Sequence, residues 1–155
     1  MGGVCTYQLA DVVVMFCAAN QQNLDGTFEM ARNFTSNAVK GLRSGRSLQI
    51  MVVPARVEDR SEKDSFSEFQ SEFRNRFGRM SFPAEVMPLS AEEMWELKVP
   101  HVPFYAFRER VAVRESPDKR HEDMYASFAG LFDHLVSLSS IDRPGSRPSL
   151  SLIHI

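Results

Sequence analysis

The chain has 155 residues, enough for one domain with a substantial core, and its composition is that of an ordinary globular protein. A net charge of -2, with acidic and basic residues interspersed, gives no electrostatic reason to expect nucleic acid or an anionic membrane as a partner. The longest apolar run, residues 12–19, is too short to span a bilayer, and the N-terminus lacks the pattern of a secretory signal. We therefore expect a cytoplasmic protein without a membrane segment.

The first predicted elements are a strand and an amphipathic helix. Residues 11–19 are almost continuously apolar, which is typical of a strand covered on both faces. A helix capped near Asn20 follows. Its apolar stripe comprises Leu24, Phe28, Ala31, Thr35, Ala38 and Leu42. The glycine-containing segment at residues 41–47 has short glycine spacing, Arg in place of Lys, and a strand after it. It therefore predicts a helix stop rather than a phosphate-binding loop.

The next predicted elements are a second strand and a second helix. The strand covers residues 48–53 and is ended by Pro54. The helix is capped by Ser65 and stopped by Gly78. Its stripe of Phe66, Phe69, Phe73 and Phe77 indicates a core-facing surface rather than a cofactor site. Residues 80–98 are predicted to be an irregular insertion with one short helix.

The C-terminal third contains a weaker strand, a third helix and a polar segment. Residues 99–107 include two prolines, which confine any strand to a short segment or an edge, and we expect it at residues 102–107. A helix follows Asp123. Its predicted inward residues are Tyr125, Phe128, Phe132, Leu135 and Val136. Residues 138–149, rich in Ser, Pro and Arg, are predicted to be a linker.

The last six residues, 150–155, turn abruptly apolar after this polar segment. They match one translated frame of an adapter sequence used in sequencing libraries, so we expect them not to be native protein sequence. A short β-tail that docks on the sheet edge is the alternative.

The alternation of strands and helices predicts an α/β protein with parallel strands and right-handed crossovers. Chemistry-bearing patterns are sparse. Cys5 and Cys17 are too few and too far apart for a metal knuckle, and they indicate idle or buried thiols in a reducing compartment. The histidines have no metal-ligand spacing, and no Ser, Cys or His stands in a recognisable nucleophile setting. The sequence therefore predicts neither a catalytic residue nor a metal ligand.

Two polar segments follow predicted strands, where open α/β sheets bind ligands. One contains Pro54 and Arg56, and the other contains Pro103 and Phe104 with arginines beyond. Proline and aromatic faces with a nearby Arg are suited to hold a nucleotide base between them. Ordinary loop polarity at the end of a strand is the alternative.

The order of motifs resembles one known family. The segment Gly3-Val-Cys-Thr-Tyr-Gln-Leu-Ala-Asp11, the strand after it and residues 20–26 are similar to the region that follows the acidic strand motif in MinD/ParA-type P-loop ATPases. These ATPases form the deviant Walker A, or SIMIBI, class, and the similarity is strongest to the subgroup that bacteria fuse to signalling or effector modules. Residues 52–56 and 96–104 match too. The resemblance covers residues 1 to about 137.

The resemblance implies a role for each matching residue. Gly2 and Gly3 would belong to the switch region near the γ-phosphate. Pro54 and Arg56 would lie on the base side of an ATP pocket, which Pro103 and Phe104 would close. Pro54 departs from the pattern, because many relatives place there an Asn that reads the adenine edge. The resemblance thus implies six site residues: Gly2, Gly3, Pro54, Arg56, Pro103 and Phe104.

The resemblance also implies an incomplete domain. The phosphate-binding loop and the magnesium-binding carboxylates of the family would precede Met1, so we expect residues 1–137 to be the C-terminal half of a partial Rossmann-like, three-layer domain. The intact parent would bind ATP and magnesium and dimerise on ATP. This chain would be inactive, would hold no cofactor, and would have the missing half of its own domain as its partner. The alternative is a stand-alone α/β protein-interaction module that docks a partner through an exposed face.

Overall fold

The computed structural model describes residues 5–58, 63–78, 81–102 and 122–141, which form a mixed α/β structure with a small open sheet. The strands are β1 (Val12–Ala18), β2 (Gln49–Val57) and β3 (Val99–Pro100). The helices are α1 (Gln21–Phe34), α2 (Asn37–Leu42), α3 (Lys63–Arg76), α4 (Ala91–Glu96) and α5 (Glu122–Ile141), and a π-helix of one turn at Cys5–Leu9 precedes β1.

The sheet is parallel throughout, in the order β1-β2-β3. The predicted parallel pairing of the first two strands is confirmed, with Val12 opposite Gln49 and Ala18 opposite Ala55. The described part of the third strand begins earlier than predicted, at Val99. Of the expected strand at 102–107, only Val102 lies among the described residues, and it is not in a strand.

The prediction that Pro54 ends the second strand is wrong, because β2 runs through it to Val57. Gln49 donates its N–H to β1 and Ala55 accepts from β1, so alternate residues, including Pro54, direct their main-chain groups away from β1. No strand pairs with β2 at Pro54, since β3 begins opposite Ala55. The proline therefore removes no hydrogen bond of the sheet.

The two faces of β1 are covered unequally, contrary to the expectation from its continuous apolar sequence. Met15 and Cys17 are buried on one face, whereas Phe16, which points to the other face, is 52% exposed. All four residues from Ile50 to Val53 in the central strand β2 are buried. Residues on both faces are therefore buried in β2 but not in β1.

The first predicted helix is in fact two helices. Asn20 caps α1 as predicted, but Ser36 accepts a hydrogen bond from the N–H of Val39 and starts a separate helix, α2. Because the chain turns at Ser36, the stripe does not continue, and Leu42 is exposed. The predicted helix stop is confirmed: the N–H of Gly45 bonds to Lys40, with Ser44 in a left-handed conformation (φ 54°).

The phenylalanine stripe of α3 is confirmed as core. Phe69, Phe73 and Phe77 are buried, and Phe66 is half-buried. The predicted cap at Ser65 is wrong, because the described part of the helix already includes Lys63. Gly78 follows the helix as predicted, and a Cβ there would lie 3.0 Å from the main-chain oxygen of Arg74.

The segment predicted as an irregular insertion contributes to the core. Seven aromatic rings contact one another in a cluster: Phe28, Phe66, Phe69, Phe73, Phe77, Phe82 and Trp95. Val86 accepts a hydrogen bond from the N–H of Ile50 at 2.7 Å, which ties the insertion to the edge of β2. Ser90 and Glu93 form a capping box that starts α4, the predicted short helix.

The inward face of the last helix was predicted only in part. Phe128 and Leu135 pack against the core as predicted, whereas Tyr125, Phe132 and Val136 are exposed. Leu131 and Leu138, which were not predicted, are buried. The helix is apolar around most of its circumference, so sequence periodicity does not fix its rotation. It also extends to Ile141, into the residues predicted as a linker. No helix in the described ranges is long and apolar enough to cross a membrane.

Candidate functional site

The polar segments of the chain lie at the carboxyl ends of the strands, along the side of the sheet that we call the carboxyl edge. Since β1, β2 and β3 are parallel, Asn20 after β1, Glu58 after β2 and His101 after β3 follow the same edge. The N–H of Ala19 donates to Ala55 at 3.1 Å and extends the ladder beyond the last residue of β1. The loops after β1 and β2 therefore start side by side.

Asn20 fixes the start of α1 at this edge. Its side-chain oxygen accepts hydrogen bonds from the main-chain and side-chain nitrogens of Asn23, both at 2.9 Å. This cap satisfies one of the free N–H groups of the first turn. The side chain of Asn20 is thus a structural cap, exposed to solvent.

Arg56 occupies the most unusual backbone position of the edge. The pairing of β2 with β3 shifts register between Ala55 and Val57, which makes Arg56 the extra residue of a β-bulge. Its φ of 56° is in the left-handed region, which costs a non-glycine residue about 1–2 kcal/mol. Its side chain is exposed. Strain held at an exposed arginine, at the ligand-binding edge of a parallel sheet, is typical of functional positions.

The bulge also reverses the direction in which the main-chain carbonyl groups of β2 point. Ala55 accepts from Ala19 in β1, whereas Val57, two residues later, accepts from the N–H of His101 on the β3 side at 3.1 Å. In a regular strand both carbonyls would point the same way. The side chain of His101 then lies beside Glu58, with Nδ1 3.9 Å from Oε2. The end of β2 thus carries an exposed arginine at Arg56 and, two residues later, a weak contact between Glu58 and His101.

The structure separates the predicted site residues. Arg56 lies next to the last residue of β2, and its side chain is exposed. Pro54 is fully buried inside β2, so its ring does not face a pocket. Pro103 and Phe104, predicted to close the pocket, lie outside the described residues, as do Gly2 and Gly3 of the expected switch region.

Sequence reasoning missed two contributors to this edge. His101 was judged only for metal-ligand spacing, and because the third strand was expected at residues 102–107 rather than at Val99–Pro100, its place after a strand was not foreseen. Asn20 was recognised as a helix cap but not as part of the site, although the strand predicted before it places it at the carboxyl ends of the strands. The positive φ of Arg56 had no signal, because arginine carries no preference for that conformation.

Two other features carry no catalytic signal. Cys17 is a buried free thiol, and burial raises its pKa, an effect that a hydrogen bond with Thr27 opposes. A buried thiol with a raised pKa is a poor nucleophile. Within the described ranges, no group of three His, Cys, Asp or Glu side chains could hold a metal ion.

A groove of about 370 Å³ lies elsewhere, between the end of α3 and the start of α4. Met87 and Glu93 line it, beside the Val86 that bonds to Ile50 near the amino end of β2. The Glu93 carboxylate already accepts the N–H of Ser90 in the capping box. The groove is therefore separate from the carboxyl edge and offers it no residue.

Comparisons with models of protein families, with characterised proteins and with solved structures found no match to this chain.

Proposed function

We propose that this chain supplies the base side of an ATP site in a nucleotide-switched ATPase domain of the MinD/ParA type. The proposal is carried by Arg56, which follows the pattern of that family in the sequence and lies exposed on a strained bulge at the carboxyl edge of a parallel sheet. The parallel pairing of β1 with β2 supports it, because it sets the loop after β1 beside this arginine. The magnesium and the phosphate-binding loop would be supplied by the rest of the domain.

In this proposal Arg56 contacts the nucleotide base. A planar guanidinium stacks on an aromatic ring system and also donates hydrogen bonds in the same plane. The bulge fixes the backbone below it, so the side chain loses less freedom on binding than it would on a mobile loop. The fully buried Pro54 takes no direct part, and base selectivity then depends on Arg56 and on groups at the end of β3.

The test is a titration of the chain with adenosine, followed by amide chemical shifts in NMR spectra. We expect binding in the millimolar range, about 4 kcal/mol or less, since the base alone makes few contacts. The shifts should change at Arg56 and at Ala19 across the ladder. In the variant Arg56→Ala, these changes should be lost.

A matched control is Arg46→Ala. Arg46 is also exposed, but it precedes β2 and so lies at the opposite edge of the sheet. Its substitution should leave the response to adenosine unchanged. Equal responses in the Arg56 and Arg46 variants, or no response in the unmodified chain, would reject the proposed base site.

The same proposal predicts that this chain alone does not hydrolyse ATP. The sequence contains no glycine-rich loop with a lysine to hold the phosphates, and the segment at residues 41–47 is a helix stop. Magnesium-dependent phosphate release above that of a heat-inactivated sample would contradict it.

A second candidate is a protein-interaction module without enzymatic activity. The exposed apolar side chains favour it, since Phe132 is 66% exposed and Tyr125 and Val136 on the same helix are also exposed. The coding sequence upstream separates the candidates. A strand followed by a glycine-rich Lys-Thr loop supports the ATPase, and an unrelated sequence supports the module.

A further inference from the structure

The carbonyl group of Val57 ends β2, and the bulge at Arg56 decides where it points. Ala55 accepts from the N–H of Ala19 on the β1 side, whereas Val57 accepts from the N–H of His101 on the β3 side at 3.1 Å. The register shift between Ala55 and Val57 produces this change of side. The direction of one carbonyl therefore depends on the conformation of Arg56.

A second position for this carbonyl exists on the other side of β2. If Arg56 were extended, regular alternation would resume, and Val57 would direct its carbonyl to the same side as Ala55. That side holds Ala19, which directly precedes the cap of α1. The first N–H groups of a helix have no acceptor within the helix, so the start of α1 offers donors to a carbonyl that turns toward it.

The two positions have opposing advantages. The left-handed position costs backbone strain at Arg56, where φ is 56°. It gains the bond from His101 and the weak contact between Nδ1 of His101 and Oε2 of Glu58, which are 3.9 Å apart. One hydrogen bond and one exposed ion pair together stabilise a protein by about as much as one strained residue destabilises it. The backbone terms therefore nearly balance.

The side chain of Arg56 favours the position that the structure holds. Residues two apart in an extended strand project to the same face, so an extended Arg56 would face the same way as Pro54, which is fully buried. In the bulge the arginine is exposed. The left-handed position keeps the charge in water and is the major one, and the extended position withdraws the arginine from the carboxyl edge.

We propose that the end of β2 is a two-position switch. In one position Arg56 is left-handed and exposed, and the carbonyl of Val57 is bonded to His101. In the other position Arg56 is extended, and the same carbonyl is turned toward the start of α1. A ligand that contacts Arg56 in only one position shifts the equilibrium toward that position. The switch follows from backbone geometry, so it does not depend on the proposed ATP site.

Hydrogen exchange at the His101 amide, followed by NMR, tests the switch in two variants with opposite effects. Arg56→Gly removes the strain of the left-handed position, so this amide should exchange about tenfold more slowly. Arg56→Val places a β-branched residue where that conformation is least tolerated, so the amide should exchange about tenfold faster or more.

The matched controls are Ser44→Gly and Ser44→Val, at a φ of 54° before β2. They change strain of the same kind elsewhere and should leave the exchange rate of the His101 amide unaltered. Equal changes in the Arg56 and Ser44 variants would show that exchange follows overall stability, which overturns the proposal. A His101 amide that Arg56→Gly does not slow also overturns it, and this variant decides the result if Arg56→Val does not fold.

The second position is tested in Arg56→Val at the first two amides of α1, those of Gln21 and Gln22. At least one of them should become more protected from exchange, because the carbonyl of Val57 is then turned toward them. If both keep their rates while the His101 amide exchanges faster, the carbonyl has been released to water, and the two-position switch is rejected.

Discussion

The two outer edges of the β1–β2 pair are finished in different ways. On the β2 side, Ile50 donates to the main chain of Val86, Val52 donates to the sulfur of Met94 at 3.3 Å, and Pro54 has no N–H to donate. On the β1 side, no described segment meets the main-chain groups that point outward. Among the described residues, one edge is closed by an irregular segment, a short helix and, from Ala55 on, by β3, whereas the other has no partner.

The comparison shows that the first part of β2, before β3 begins opposite Ala55, is closed without another strand. Each buried N–H of β2 on this side needs an acceptor. A turn carbonyl accepts from Ile50 and a thioether accepts from Val52, while Pro54 needs no acceptor because it has no N–H. The open edge of β1 has the same repeat of donors without such partners. Stability should therefore respond differently to substitutions on the two sides.

The largest expected effect concerns the cover of the closed side. Trp95 is buried in contact with Phe66, Phe69 and Phe73, and Trp95→Ala should lower the free energy of unfolding by about 3–5 kcal/mol. Its indole N–H also bonds to the side-chain oxygen of Gln70 at 2.8 Å, in the amide orientation that satisfies both groups. Urea denaturation followed by circular dichroism measures the change.

The control for this substitution is Phe132→Ala, on the exposed face of α5. It removes a similar aromatic ring but should change stability by no more than about 0.5 kcal/mol. Comparable losses in both variants would mean that the loss does not come from the buried contacts of Trp95, which would contradict the prediction.

A smaller effect is expected at Pro54, the residue of the closed edge that has no N–H to donate. Pro54→Ala adds a buried N–H with no acceptor, which should cost about 1–3 kcal/mol beyond the lost packing. Val53→Ala removes a similar volume next to it, and the N–H of Val53 already points to β1. The difference between the two variants in urea denaturation isolates the added donor. If they are equally stable, the new N–H has found a partner.

Met94→Leu tests the thioether acceptor on the same edge. Leucine fills a similar volume but leaves the N–H of Val52 unsatisfied, so we expect a loss of about 1–3 kcal/mol. Met51→Leu is the matched control, because Met51 is equally buried. This substitution conserves volume and should lower the free energy of unfolding by less than about 1.5 kcal/mol. Hydrogen exchange at the Val52 amide should accelerate only in the Met94 variant. Unchanged exchange would show that the sulfur does not hold this proton.

The smallest effect concerns backbone strain at the end of β2. Arg56→Gly should stabilise the fold by about 0.5–1 kcal/mol, since glycine adopts a φ of 56° without strain, and it should abolish the response to adenosine. Ser44→Gly, at a φ of 54° after α2, should stabilise similarly and keep that response. A destabilised Arg56→Gly would mean that the side chain stabilises the bulge, and its role would be structural.

The elements that sequence patterns predicted well are those with a regular apolar stripe or an uninterrupted apolar run, although not all of their ends were found. The stripe of α3 was found from its helical spacing, and the strands β1 and β2 were found from their continuous apolar sequences. The rotation of α5 was not found, because Phe132 and Leu131 are both apolar and only packing decides which is buried. Val86 lies in an irregular segment without helix or strand periodicity, so the sequence pattern did not predict that it is buried.

The candidate site was predicted less well than the fold. The sequence located Arg56 at the end of a strand, and the structure keeps it there with an exposed side chain. It also suggested that the Pro54 ring faces a ligand, whereas the ring is buried. The predicted strand stopped before Pro54, whereas β2 runs on to Val57, so the ring belongs to the covered part of the strand. What packs over that part of the strand is not encoded in the local sequence.

The pairing of β1 with β2 has a consequence for how the chain folds. Each rung joins residues separated by both α1 and α2, from Val12 opposite Gln49 onward. Closing a loop of this length costs entropy before the first rung forms, whereas the helices need only local contacts. The order of events should therefore be α1 and α2 first and the sheet afterwards. During that interval the uncharged residues of β1 are exposed on both edges rather than one, which makes early folding the period of greatest risk of aggregation.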